Sequence, residues 1–215
     1  MAVNLTNGTI IEDRFMERMA IGALFLGSSL AMLPPYAAVL YVIFSSKQIR
    51  TQPFYTIALH MGYSDLGQLL FGPGIYGGLS CLTDAYYPRS FWVKKFMNSC
   101  SFFFWFAYVS LAQVMTLNRF VTIFFPANVA SLFSRRNTKI LMSICWLHGL
   151  AWFVWLMMPK VNCAFSVDSY GLDYDTNPES LTALAANSYI NISHSSIMVV
   201  IYSFICLKMI FEVGV

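Results

Sequence analysis

The sequence predicts an all-α integral membrane helical bundle, and three observations carry that expectation. Of the 215 residues, 58% are hydrophobic and 17% aromatic while only 11% are charged, and the mean hydropathy is +0.61. A single water-soluble core in a chain of this length could not cover so much apolar surface. The apolar residues also gather into five runs, each long enough to cross roughly 30 Å of hydrocarbon at about 1.5 Å per residue. Finally, the net charge is only +3 and the basic residues are scattered among connectors. That pattern leaves no nucleic-acid footprint and makes the lipid bilayer the expected partner.

The first run extends from Met19 to Phe44. It is too long for a cleaved signal and lacks a small-residue cleavage pattern, so it reads as a signal anchor. Pro34 and Pro35 are expected to bend it, a distortion tolerated where neighbouring helices re-satisfy the freed carbonyls. The second run, Phe54 to Leu79, holds Asp65, the only acid inside any run, and Pro73 as a further bend. A carboxylate at that depth must face the bundle interior, pair with a polar group or small cation, or take up a proton. Asp65 is therefore an intramembrane polar site, with a switching role and a purely structural one both open.

The third run, Phe96 to Leu117, carries Phe102, Phe103, Phe104, Trp105, Phe106 and Tyr108. Ser101, Trp105 and Tyr108, spaced by four and three, share one helix face and form a candidate ligand pocket. At the end of this run stands Leu117-Asn118-Arg119-Phe120, with Pro126 seven residues past the arginine. A lone Arg after some twenty nearly uncharged residues is expensive in lipid unless its head reaches the interface or a polar partner. Arg119 is thus either a functional group or a snorkelling anchor. The fourth and fifth runs are Ile140 to Met158 and Tyr189 to Phe211, and Asp168, Asp173, Asp175 and Glu179 place the loop between them in water. The expected organisation is a tail over residues 1–18, a membrane domain over 19–211 and the start of a third inner loop over 212–215.

Orientation follows from charge and favours an N-terminus outside. Lys47, Arg50, Arg119, Arg135, Arg136, Lys139 and Lys208 then lie inside, against Arg14, Arg18, Arg89, Lys94, Lys95 and Lys160 outside, in the sense of the positive-inside rule. Asn4-Leu5-Thr6 and Asn7-Gly8-Thr9 are glycosylation acceptors that suit a lumenal tail. Cys81, Cys100 and Cys163 fall on the outer side, where a pair can oxidise. Spacing does not choose between Cys81 and Cys100 as partner to Cys163, although a bridge from Cys100 would pin the long loop over the bundle. No paired carboxylates, Gly-x-Ser-x-Gly or His-Glu-x-x-His are present, so the sequence carries no catalytic signature and no enzyme is expected. His60, His148 and His194 lie on three runs without ligand-like spacing, so neither a metal nor another cofactor is expected.

The block Leu117-Asn118-Arg119-Phe120-Val121-Thr122-Ile123-Phe124-Phe125-Pro126 resembles a version of the Asp-Arg-Tyr motif that ends the third helix of rhodopsin-like G-protein-coupled receptors. Pro35-Tyr36 before a basic loop, Ser64-Asp65-Leu66, Pro73 and Trp146 add to the likeness, which spans nearly the whole chain. More narrowly, the chain resembles the nematode serpentine chemoreceptors of the Srg superfamily, in classes such as Srv, Srx and Srt. The resemblance implies a chemosensory receptor of the plasma membrane, in sensory cilia, that detects a small molecule and signals to a heterotrimeric G protein, with a second receptor copy as a further partner. It makes Arg119, with Asn118 and Phe120, the switch. Pro126, Arg135 and Arg136 would shape the loop that meets the G protein, Asp65 would be a cation or proton site, and Cys163 the second-loop cysteine. Asn118 stands where the family has aspartate, which puts an ionic lock of that kind in doubt. Such receptors need seven helices, and this chain stops at Val215 just beyond its fifth run, as a truncated receptor or fragment would. Two other readings stand beside it, a non-signalling membrane partner of full-length receptors and a transporter component.

Overall fold

The computed structural model describes residues 4–83 and 91–213, with the side chains of residues 14–49, 51–83 and 91–212. Eight α-helices, one π-helical turn, one 3-10 turn and a two-stranded hairpin are found among them. In chain order they are α1 (Asn4–Ser45), α2 (Lys47–Arg50), α3 (Pro53–Phe71), the π turn (Pro73–Gly77), α4 (Gly78–Leu82), α5 (Phe91–Phe124), the 3-10 turn (Pro126–Asn128), α6 (Val129–Leu132), α7 (Arg135–Met157), β1 (Cys163–Ser166), β2 (Gly171–Tyr174) and α8 (Pro178–Val213). Four helical stretches are long and apolar enough to cross a membrane, namely Arg14–Ser45, Phe91–Phe124, Arg135–Met157 and Pro178–Glu212. The chain is an integral membrane helical bundle, as its composition predicts.

The expected second run is the exception. Rather than one helix from Phe54 to Leu79, the chain builds three pieces broken at Gly72, whose extended backbone (φ −88°, ψ −162°) caps α3 before Pro73 opens the π turn. Proline lacks the N–H that would continue the α ladder. His60, Ser64, Asp65 and Gln68 also dilute the apolar character of α3. By contrast, Pro34 and Pro35 lie inside an uninterrupted α1. Helix α1 already runs from Asn4, through part of the segment expected as a tail. Helix α8 likewise begins eleven residues before the expected Tyr189, with Pro178 at its first position and Glu179 complementing the helix dipole.

Helices α3 and α7 flank the long α5, and the α5–α7 crossing is close. A Cβ added to Gly149 would stand 2.4 Å from the Phe103 carbonyl, so only glycine fits. Two cores fill the bundle at opposite ends. At the hairpin end, Phe102, Phe106, Trp152, Leu156, Val161, Cys163 and Ala183 form one cluster, with Phe106 and Trp152 stacked at 4.0 Å and 3°. Towards the end bearing Arg119, Ile57, Leu111, Val121, Phe133, Met142 and Cys145 form the other. The hairpin pairs Cys163 with Tyr174 and Ser166 with Gly171 in antiparallel register, inside the loop read from sequence only as exposed to water.

Candidate functional site

Helix α5 delivers the Leu117–Phe120 block to one end of the bundle. Asn118 is buried, whereas Arg119 is exposed. Its guanidinium carbon lies 3.9 Å from the centroid of the Phe54 ring at the start of α3, well inside cation–π range. Among the described residues no carboxylate pairs with Arg119. Phe120 stacks on Phe124 at 4.5 Å. Pro126 opens the exposed 3-10 turn after Phe125 leaves the helical region. Arg135 and Arg136 occupy the exposed first turn of α7, capped by Ser134, whose hydroxyl accepts from the Asn137 N–H at 3.3 Å. From α8, Lys208 donates to the Ile123 carbonyl at 3.0 Å and pairs with Glu212 at 3.4 Å. The switch candidates therefore share one end of the molecule.

A mainly apolar groove of about 730 Å³ runs from this end between α1, α3, α5 and α8. Pro35, Tyr36, Phe54, Asp65, Met115 and Arg119 are among the residues that line it. Asp65 and Arg119 are its charged groups. The Asp65 carboxylate accepts a 2.6 Å hydrogen bond from the Tyr36 hydroxyl. Sequence places these two side chains 29 residues apart, and only the packing of α1 on α3 joins them.

The Ser101, Trp105 and Tyr108 face is not gathered around this groove. Ser101 is buried, Tyr108 half-buried and Trp105 exposed. Trp105 instead donates to the Asn191 side chain of α8 at 3.0 Å, and Asn191 donates in turn to Asn187 at 2.6 Å. The three histidines are partly reunited: His148 meets Ser110 at 2.7 Å and its ring lies 6.2 Å from that of His194. His60 lies elsewhere, accepting from the Trp146 indole at 3.1 Å. No group of three metal-ligating side chains forms among the described residues.

Comparison with known families decides the class. Residues 33–214 match the family model described as serpentine type 7TM GPCR chemoreceptor Srx. The chain belongs to the Srx family. Its fold agrees with the crystal structure of squid rhodopsin, with a TM-score of 0.72 at 14% identity, over 93% of this chain and 54% of that one. The Srx chain thus spans about half the length of that rhodopsin. No curated protein matches its sequence.

At the hairpin end of this Srx chain, Cys81, Cys100 and Cys163 are free thiols. Cys81 faces Gly22 of α1, while Cys163 packs among Phe102, Phe106 and Trp152. Burial, with Asp173 and Asp175 nearby, pushes the Cys163 thiol up to about 12. Hydrogen bonds hold the loop in the absence of a bridge. Lys95, only 3% exposed, donates to the Met158 carbonyl at 2.5 Å and to the Asn162 side chain at 3.4 Å. Asn98 donates to the Cys163 carbonyl at 3.2 Å. Asn162 then donates to Asp175 at 2.8 Å. Bonds from Ser180 and Asn162 hold the Asp175 carboxyl below the ordinary range. From sequence Lys95 reads as one of the outer-side charges and Asn98 has no assigned part. A lysine and an asparagine three residues apart on an apolar helix were the available signal. The glycosylation acceptors Asn4 and Asn7 lie outside the residues whose side chains are described.

Proposed function

We propose that this chain is the receptor part of a chemosensory G-protein-coupled receptor that detects a small molecule and signals to a heterotrimeric G protein. Membership of the Srx family supports the class. The observation that carries the coupling end is Arg119, exposed at the tip of α5 without an acid partner among the described residues and beside an open groove. An exposed guanidinium at that depth is available to an incoming acidic or carbonyl-rich partner. On this reading the Arg119 end faces the cytosol, Pro126, Arg135 and Arg136 form the loop that meets the G protein, and the hairpin end and N-terminus face outside at the plasma membrane. Ligand binding would act by shifting the population between two helix arrangements.

The test is Arg119→Ala in a receptor carrying all seven spans. Constitutive nucleotide exchange by a co-expressed heterotrimeric G protein should fall to background, with surface expression within about twofold of wild type, since exposed charges contribute little to stability. Joint loss of signalling and expression would make Arg119 a structural anchor instead.

A further inference from the structure

Arg119 is exposed, yet it is not free to wander. Its guanidinium lies 3.9 Å from the centre of the Phe54 ring, and that ring is itself held edge-on by Tyr55 at 5.1 Å. Pro53, at the first position of α3, sets the backbone from which Phe54 projects. The acids described near this end are committed elsewhere. Asp65 accepts from Tyr36 and stands eleven residues up α3 from Phe54, about 16 Å along the axis. Glu212 pairs with Lys208. The residue preceding Arg119 is Asn118, buried and uncharged.

We propose that Phe54 is the positioning residue for Arg119, its ring holding the guanidinium against α3 where, among the described residues, no carboxylate pairs with it. This rests on the receptor reading above and deepens it. A planar guanidinium suits the ring face better than an ammonium would. The hold is weak, about twofold to fivefold in population for a solvent-exposed cation–π pair, so a partner that offers Arg119 an acid or several carbonyls can take it.

Two measurements test the idea separately from the receptor reading. In nanodiscs, the side-chain N–H resonance of Arg119 should lie upfield of those of Arg135 and Arg136 through the ring current of Phe54. The shift should vanish in Phe54→Leu and survive in Phe54→Tyr. In a seven-span receptor, Phe54→Leu should raise basal nucleotide exchange about twofold to fivefold, and Phe54→Tyr should restore the wild-type level. A normal Arg119 resonance in the wild-type protein overturns the contact. An upfield resonance with basal exchange unmoved by Phe54→Leu, while Arg119→Ala still abolishes signalling, overturns the positioning role and leaves the receptor reading intact. Signalling that survives Arg119→Ala overturns both.

Discussion

The two ends of the bundle bury their polar groups in opposite ways. At the hairpin end Lys95 is 3% exposed and fully engaged with the loop, whereas Arg119, on the same helix 24 residues away, is exposed and rests on a ring. The cores differ in step. Stacked aromatic faces, Phe102, Phe106 and Trp152, fill the hairpin end, while aliphatic and sulfur-bearing side chains such as Ile57, Leu111, Met142 and Cys145 fill the other. Flat rings in register admit few alternative packings, and methionine adapts to several. The hairpin end is thus packed mainly by stacked rings and the Arg119 end mainly by more adaptable side chains.

The strongest challenge to that contrast is Trp152→Ala. Loss of a stacked, buried ring should destabilise the protein by about 3–5 kcal/mol, read as a fall in melting temperature in detergent or nanodiscs. A change under about 1 kcal/mol would mean that the hairpin-end core is not the rigid one. Lys95→Met comes next. It leaves the Met158 carbonyl and the Asn162 side chain without their donor, at a cost of about 1–3 kcal/mol. Amide exchange in β1 and β2 should accelerate, and the Cys163 thiol should become accessible to maleimide. Unchanged exchange in the hairpin would show that the aromatic cluster alone holds it. Smallest of all is the paired change Arg135→Ala with Arg136→Ala, which should alter stability by less than about 0.5 kcal/mol because both side chains are exposed. A larger loss would make the arginine end structural after all.

Much of this architecture is legible in the chain before any coordinates. Four of the five expected runs, Phe54 to Leu79 being the exception, and the placing of Arg119 near a helix end follow from hydropathy and from the cost of charge in lipid. The partners do not follow. Tyr36 with Asp65, Phe54 with Arg119 and Trp105 with Asn191 are separated by 29, 65 and 86 residues, and such pairs depend on how helices rotate against one another. The break at Gly72 was half visible: Pro73 announces a distortion, but a π turn followed by a short α4 depends on the close packing of Gly74 and Gly78 against α1. For Ser101, Trp105 and Tyr108, four-and-three spacing marks a shared face without saying what lies opposite. In the structure α8 stands across from Trp105.

Three of the ties that hold the long helices and the loop in place, from Lys95, Asn98 and Lys208, end on main-chain oxygens at Met158, Cys163 and Ile123. Every residue type supplies such an oxygen. Positions 158, 163 and 123 are therefore free to drift without loosening these joints, while the three donors are not. A scaffold braced in this manner can vary the lining of its loop across many related sequences and still return the same frame.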